Sequence, residues 1–585
     1  MFLREVKREN RNGTRVSYLQ LVHNDWDSAA RSSRTKILYS FGRTDQVDTA
    51  AIERLIVSLS RLLDPSAAFN ATAGSDLNFI CSRPLGGTDV LDVLWRRLGI
   101  EATLTRLLAE RRATSPFERV LFGLVANRAL APSSKLAAAD WISNDVHIDG
   151  LAEVADDVCY RSMDWLHDVP EQLEKEVFHH VANLLNLEVD LLFFDTTSTY
   201  VELDNADGPV VRDSRGHPLP TDNDTATNTG AATDAGGNED TGGNEGNSVG
   251  FRTWGKSKDS RDDLPQVVIG MAVTREGIPV RVWCWPGNTT DTALIRQVKA
   301  DMRDWTLSRI VWVADRGFSS QANRRYLRRG DHHYIIGEKL RSNSPETKAA
   351  LSRQGRYTTI TANMRVKEVR ICENERFVIC HNPEAADRDA HVRQQLLTQL
   401  GELIDGSDAL SAHQRGELAG RISTKPGLNR YLRTTPGGKL RIDAAKVKTE
   451  ADLDGKYLLR CSDPTLSAED IAVGYKQLLE VERGWRDMKT IIDLRPVYHR
   501  LEDRIRAHVV LCWLALLLIR VAETTTGQTW QNMRRDLDRL HAVTFTGPTG
   551  TFRQRTDPTK PQIDIYARLD IPLPKKMIQL ATTAR

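Results

Sequence analysis

Apolar residues along the chain follow two periods, and the change between them marks out the elements. LEVDLLFFDTTS, SRIVWVADRGFSS and HYIIGEKL are short, nearly unbroken apolar runs, as expected of strands buried on both faces. QVVIGMAVT, REG and IPVRVWCW in succession predict a hairpin turning near Gly277. Helical spacing governs other stretches. Val90, Leu91, Leu94, Trp95 and Leu98 fall on one face of a helix over Thr88–Leu98. In SPFERVLFGLVANRAL, Ser115 is placed to cap a helix, Pro116 suits its first position, and Glu118 completes a capping box. Ala468–Lys489 and Arg500–Arg520 each predict one long helix. Residues 1–45 alternate charged and β-prone residues and predict a small antiparallel sheet. Residues 341–470 carry strand-like pieces (RYTTITANMRVKEVRIC, RFVICHN, KYLLRCS) around a polar, helical middle, and the last 60 residues read as a short helix with Pro/Thr-rich turns. Asp204–Gly250 is dominated by Asp, Asn, Thr and Gly, so it lacks the apolar area to repay its ordering entropy, and a disordered surface insertion is expected.

Composition changes this picture in a few places. At 585 residues with 40% hydrophobic and 27% charged residues, the chain has material for a sizeable core and several domains. Lys and Arg number 80 against 78 Asp and Glu, so a nucleic-acid partner must be met by local basic patches rather than by bulk charge. Seven cysteines form no CxxC pair and no zinc-type spacing with histidine, which favours free thiols in a reducing cytoplasm. The first residues, MFLREVKREN, lack the apolar region of a signal peptide. The longest apolar run, Val509–Ile519, is short of the ~20 residues a membrane span needs and predicts a buried core helix.

Three carboxylates stand out by position. Asp195 and Asp315 each end an apolar strand, and the carboxyl ends of strands are where sites form in sheets with parallel neighbours. Either one alone reads more readily as a strand-end residue capping the next turn. Glu482 lies in YKQLLEVERGWRDMK; on one continuous helix Tyr475, Glu482 and Lys489, seven residues apart, share a face, with Arg486 one turn beyond the glutamate. A solvated amphipathic face is the alternative. Glu480 points roughly 160° away from Glu482 at ~100° per residue and cannot share its site. Two Asp on neighbouring strands and a Glu on a facing helix suit a pair of Mg²⁺ ions, hard cations that prefer carboxylate oxygen and, ~4 Å apart, assist phosphoryl transfer. Basic residues lie close in sequence: five arginines and no acid in Arg316–Gly330, Lys256 and Lys258 in FRTWGKSKDSR, and Arg495, Arg500, Arg504 and Arg506 after the Glu helix. Such groups bind phosphates.

Taken in order, DTTSTY, GKSKDSRDDLPQVVIGMAV, PGNTTD, VADRGF, YKQLLEVERGWRDMK and LRPVYHR resemble the DDE transposases of bacterial insertion sequences, and within them the insertion-sequence-four superfamily and its longer-chain relatives. The resemblance runs from about Leu187 to Val521. It implies an α/β fold: a ribonuclease-H-like mixed sheet flanked by helices, with a largely β insertion between the second Asp and the Glu and a helical region before the first strand. It implies Asp195, Asp315 and Glu482 as catalytic, metal-holding residues. Tyr475, Lys489, Arg486, Arg316, Lys256 and Lys258 are then the expected DNA contacts. The family's helix signature has an arginine where this chain has Leu478, so Arg486 or Arg483 would have to replace that phosphate contact.

The expected organisation is a β/helix segment at 1–80, a helical region able to bind DNA ends at 81–186, catalytic parts at 187–340 and 466–525 around an insertion at 341–465, and a tail at 526–585. The expected function is cut-and-paste transposition: binding the terminal inverted repeats, metal-dependent cleavage with two Mg²⁺ (Mn²⁺ substituting), and strand transfer into target DNA by a homodimer. The expected location is the cytoplasm, on the nucleoid when bound to DNA. The alternatives are a DNA-binding protein without catalysis, or a ribonuclease-H-like nuclease or resolvase that cuts without joining.

Overall fold

The computed structural model describes the chain apart from residues 1, 10–14, 28–31, 64–76, 111–115, 186–189, 214, 220–247, 304, 306–308, 342–343, 373–374, 548–549 and 583–585. It divides into two units. One comprises Met1–Ser82, Ala542–Asp557 and Pro574–Arg585, the other Arg83–His541 and Pro558–Leu573.

The first unit opens with the expected small sheet, a meander of β1 (Phe2–Glu9), β2 (Arg15–Asp27) and β3 (Ser32–Arg43), both pairings antiparallel. A helix, Thr49–Leu63, and β4 (Asn78–Pro84) follow.

The second unit begins with helices, including Phe117–Leu130, Lys135–Asp140, Asp156–His167 and Pro170–Leu185. Phe117–Leu130 is buried at every residue from Val120 to Leu130, so it is scaffold and offers no face to a base pair. Ser115 lies outside the described residues, and Glu118 does not cap. Its carboxylate instead accepts the Trp95 indole N–H at 2.7 Å and pairs with Arg119 at 2.6 Å, which satisfies two buried donors inside the helical layer.

The centre of this unit is one nine-stranded sheet. β5 (Leu191–Tyr200) leads through the pair β6 (Val210–Val211) and β7 (Ser248–Val249) to the hairpin β8 (Gln266–Val273) and β9 (Pro279–Pro286), which turns at Gly277 with φ +77°. β10 (Val311–Ala314) and β11 (His333–Glu338) come next. Across the sheet the order β9-β8-β5-β10-β11, with β5, β8 and β9 antiparallel and β10 and β11 parallel to β5, is the mixed order expected of a ribonuclease-H-like domain. Alternation along β5 sends Leu191 and Phe193 to one core and Leu192 and Phe194 to the other, so both faces are covered by helices.

Three expectations are corrected here. The segment after β11 is not a separate β domain. Its strands β12 (Thr358–Thr361), β13 (Met364–Cys372) and β14 (Glu375–His381), with a later strand at Lys456–Cys461, extend the central sheet beyond β11. Its middle is helical (Pro383–Ile404, Ala412–Ser423) with a small hairpin, β15 (Leu432–Thr434) and β16 (Leu440–Ile442), around its own core of Leu400, Leu418, Ile422 and Leu440. The later strand, β17 (Lys456–Cys461), pairs antiparallel with β11 and fills what would otherwise be an open edge. Part of the expected disordered insertion is likewise anchored. Arg212, 7% exposed, forms a two-point pair with Glu502 at 2.9 and 3.0 Å and donates to the Val249 carbonyl, whereas residues 220–247 lie outside the described residues.

The third correction concerns the Glu helix. Ala468–Lys476 and Leu479–Thr490 are two helices, because Leu478 N–H bonds the Tyr475 carbonyl and Val481 N–H the Leu478 carbonyl, i→i+3 bonds that tighten the turn. Glu502–Thr526 follows. By length and composition it is the one described helix apolar enough to cross a membrane, yet its apolar window lies wholly inside the protein. Arg520, 2% exposed on this helix, ties it to Leu479–Thr490 through Asp487 at 2.6 Å and pairs within its own helix with Glu523 at 2.7 Å, which Arg483 also reaches at 3.0 Å.

The last 60 residues are more than a tail: β18 (His541–Gly547), β19 (Gly550–Arg555) and β20 (Met577–Thr582) form a four-stranded sheet with β4, in the order β20-β19-β18-β4.

Candidate active site

Register builds the acidic site. Phe194 on β5 stands beside Ala314 on β10, so Asp195 and Asp315 are the next residues along two neighbouring parallel strands. Burial raises the Asp195 carboxyl to about 6; Lys258 and the Thr196 N–H oppose that rise, and the like charges of Asp291 and Asp315 add to it. The Lys258 ammonium lies 3.9 Å from Asp195 Oδ1 and 3.9 Å from Asp291 Oδ2. It donates to the Thr196 carbonyl at 2.6 Å and to Thr196 Oγ1 at 2.8 Å, while Thr196 Oγ1 donates to Asp291 Oδ1 at 2.6 Å. Asp291, the first residue of the helix Asp291–Asp301, is thus a fourth carboxylate that sequence reasoning missed. Its signal was the PGNTTD motif, whose Asp ends a turn rather than an apolar strand.

Tyr475 reaches the same site from the shorter helix, donating from its hydroxyl to Asp315 Oδ1 at 3.0 Å. Burial, with the Asp315 carboxylate, raises that hydroxyl well above its ordinary value, so it remains a donor. Gly337 on β11 makes the approach possible, since a Cβ there would sit 2.5 Å from the hydroxyl oxygen.

The remaining candidates separate into tied and free groups. Lys489, 11% exposed, donates to Thr197 Oγ1 at 2.7 Å and Asp259 Oδ1 at 2.8 Å, and Arg495 also pairs with Asp259. Lys489 therefore clamps the loop before β8 onto β5 and is already neutralised. A phosphate would have to compete with Asp259 for it. Lys256 is exposed. Arg324, in the arginine run, faces inward to the Ser319 carbonyl and Glu338, so that run is not a uniform phosphate patch. Arg316 lines a ≈ 490 Å³ cavity with Asp315, Tyr457 and Tyr475.

Glu482 and Arg486 are both exposed, and among the described residues neither carboxylate nor guanidinium has a hydrogen bond or ion pair, so the two do not pair although they lie one turn apart. Their flank of the helix is set by their neighbours. Lys489, seven residues after Glu482, reaches β5, whereas Glu480 lies 3.0 Å from a Cβ position at Gly277 and Arg483 pairs with Glu523 at 3.0 Å. Glu482 therefore shares the Lys489 flank, and Glu480 is excluded.

Residues 243–518 match the transposase DDE domain family. The matched stretch contains Asp291, Asp315, Tyr475, Glu482 and Lys489 and begins after Asp195. Among solved structures, a piggyBac transposase synaptic complex with hairpin DNA is similar over 77% of this chain and 79% of that chain, with 9% identity and a TM-score of 0.35. No curated protein matches the chain.

The donor chemistry of this site fits a divalent cation. Asp195, Asp291 and Asp315 bring carboxylate oxygens to one strand end with Lys258 as their near cation, an excess of negative charge that a hard metal ion would offset. Among the described residues, however, no three Asp, Glu, His or Cys side chains are grouped closely enough to hold an ion.

Proposed function

We propose that this chain is a cut-and-paste transposase that binds the terminal inverted repeats of an insertion sequence, cleaves DNA there and joins the freed end to target DNA. The observation that carries the reading is the adjacency of Asp195 and Asp315 on neighbouring parallel strands, the second of them inside a DDE transposase domain. Asp195, Asp315 and Glu482 would hold two Mg²⁺, which Mn²⁺ could replace, and the ions would supply activation of the attacking oxygen and stabilisation of the leaving one. Tyr475 fixes one oxygen of Asp315, and among the described residues the other has no hydrogen bond. Lys258, anchored on Thr196, holds Asp195 and Asp291 in place and offers a cation to the phosphate being cut. Lys256, Arg316 and Arg486 contact flanking phosphates, and Lys489 keeps the loop that carries Lys258 on β5. The working form is a homodimer on DNA, in the cytoplasm and on the nucleoid.

Cleavage of a labelled duplex carrying the element's ends, with Mg²⁺ or EDTA, by wild type and Glu482→Ala tests this reading. Metal-dependent nicking at the end, lost in Glu482→Ala, is the expected result, and a strand-transfer product separates a transposase from a nuclease or resolvase. Tight binding of the ends without cutting in any divalent metal would replace this reading with that of a non-catalytic DNA-binding protein.

A further inference from the structure

A second charged site lies in the same unit and takes no part in the chemistry above. A cavity of ≈ 300 Å³ opens between the helices Phe117–Leu130 and Asp156–His167 and the segment joining Leu479–Thr490 to Glu502–Thr526. Arg128, Lys135, His499 and His508 line it, and Tyr498, 71% exposed, stands at its mouth. Lys135 is 3% exposed and Arg128 4%, both well past the burial at which these side chains are ordinarily paired. Neither is paired with a carboxylate. Among the described residues Lys135 has no hydrogen bond or ion pair. Arg128 Nε has no partner, and its Nη1 makes only long contacts, 3.5 and 3.4 Å, to the carbonyls of Ile492 and Asp493.

Acids nearby do not resolve the imbalance. Asp493 lines the cavity but is exposed and forms no ion pair with Arg128 or Lys135. Asp164 is taken by Arg504 at 2.7 Å. The strain shows in the bases themselves. Burial, with Arg128 beside it, lowers Lys135 to about 7, and burial together with Lys135 and Arg128 lowers His499 to about 3 and His508 well below its ordinary value. Buried basic groups without a counter-charge are costly or give up their proton, and an anion bound in the cavity would supply the partner that Lys135 and Arg128 lack. The lining segment also continues the Glu482 helix, and Val497 N–H bonds the carbonyl of Tyr200, the last residue of β5. Pocket and acidic site therefore share one support.

We propose that this cavity is a phosphate-binding site in which the Lys135 ammonium and the Arg128 guanidinium take a single phosphate group. The group is a DNA backbone phosphate, an assignment of source that rests on the transposase reading, or free phosphate; the chemistry is shared. Lys135→Met keeps the length of the side chain and removes the buried charge, so the fold is expected to survive; Arg128→Gln is measured alongside and supplies the same readouts should Lys135→Met fail to fold.

Two measurements decide. Thermal unfolding is followed in inorganic phosphate and in chloride at equal ionic strength, and DNA affinity is followed over a salt series. Phosphate is expected to raise the Tm of the wild type by a few degrees and that of Lys135→Met by nothing. For a DNA source, the slope of log affinity against log salt becomes shallower by about 1 in Lys135→Met. A phosphate effect lost in the variant with an unchanged slope assigns the pocket to free phosphate and overturns the DNA source. No phosphate-specific rise in the wild type, with an unchanged slope in the variant, overturns the site. Wild-type cleavage of element ends is read separately: its absence would overturn the transposase reading and leave the phosphate measurement standing.

Discussion

The acidic strand ends and the Lys135 cavity are opposite versions of one situation. At Asp195, Lys258 faces two aspartates, Asp195 and Asp291, with Asp315 on the next strand; at Lys135, two buried basic side chains and two histidines gather with no carboxylate pairing among the described residues. A balanced buried charge lies elsewhere in the unit. Arg520, buried in the long apolar helix, has Asp487 and Glu523 within 2.7 Å. Balanced clusters hold helices together, whereas unbalanced ones keep charge in reserve for something that binds. The difference teaches where to look for ligands: not at buried charge as such, but at buried charge whose sum is not near zero.

The comparison can be broken most severely at Asp195. Asp195→Asn keeps the shape and removes one of the crowded negative charges. Cleavage should fall by about 10³-fold or more, as expected when a metal-holding carboxylate supplying several kcal/mol is lost. The midpoint of chemical unfolding should stay where it is or rise, and a clear fall in stability would mean that the site is structural. Arg520→Met makes the opposite test at a balanced cluster. Removing Arg520 strands the Asp487 carboxylate, while Glu523 keeps Arg483, and should cost about 3–5 kcal/mol in denaturant titration. A neutral result would show that Asp487 and Glu523 are not held by that pairing.

Smaller effects sharpen the geometry. Gly337→Ala places a methyl group where the Tyr475 hydroxyl lies, and overpacking of about 1–3 kcal/mol should appear in stability together with slower cleavage. Tyr475→Phe removes only the hydrogen bond to Asp315, worth about 1.5–3 kcal/mol when the acceptor is charged, so cleavage should drop by about ten- to a hundredfold with DNA affinity retained. The least change is expected from Glu480→Gln, because that carboxylate lies by the β8–β9 turn; cleavage within about twofold of wild type would separate it from Glu482.

Much of the sheet was legible from apolar runs, because a strand buried on both faces has little choice of residue. LLFFDTT, QVVIGMAV and VWVAD each fall on an observed strand, and the Gly277 hairpin turns where expected. Asp195 and Asp315 were visible for the same reason: a carboxylate interrupts an apolar run only where the run meets solvent. Asp291 was not visible, because its position depends on a hydrogen bond from Thr196, 95 residues earlier. Lys489 was found, but its partner Asp259 was not, so a residue expected to face DNA proved to be a clamp.

Local pattern alone determined the strands at the sheet centre, the two acids at their ends, the buried nature of Glu502–Thr526, and the family resemblance carried by the motifs. Each depends on residues close in sequence, where burial and period act directly. Tertiary structure alone decided the rest. The strands after β11 joined the central sheet because its edge needed partners. The Glu helix broke at Leu478, which separates Tyr475 from Glu482 and lets the tyrosine turn to Asp315. The charge imbalance at Lys135 exists only because the neighbouring helices Phe117–Leu130 and Lys135–Asp140 and the segment around His499, hundreds of residues later, close on one cavity. Net charge is a sum that sequence supplies at once. Where that charge is left uncompensated is set by which distant segments meet, and folding alone fixes that.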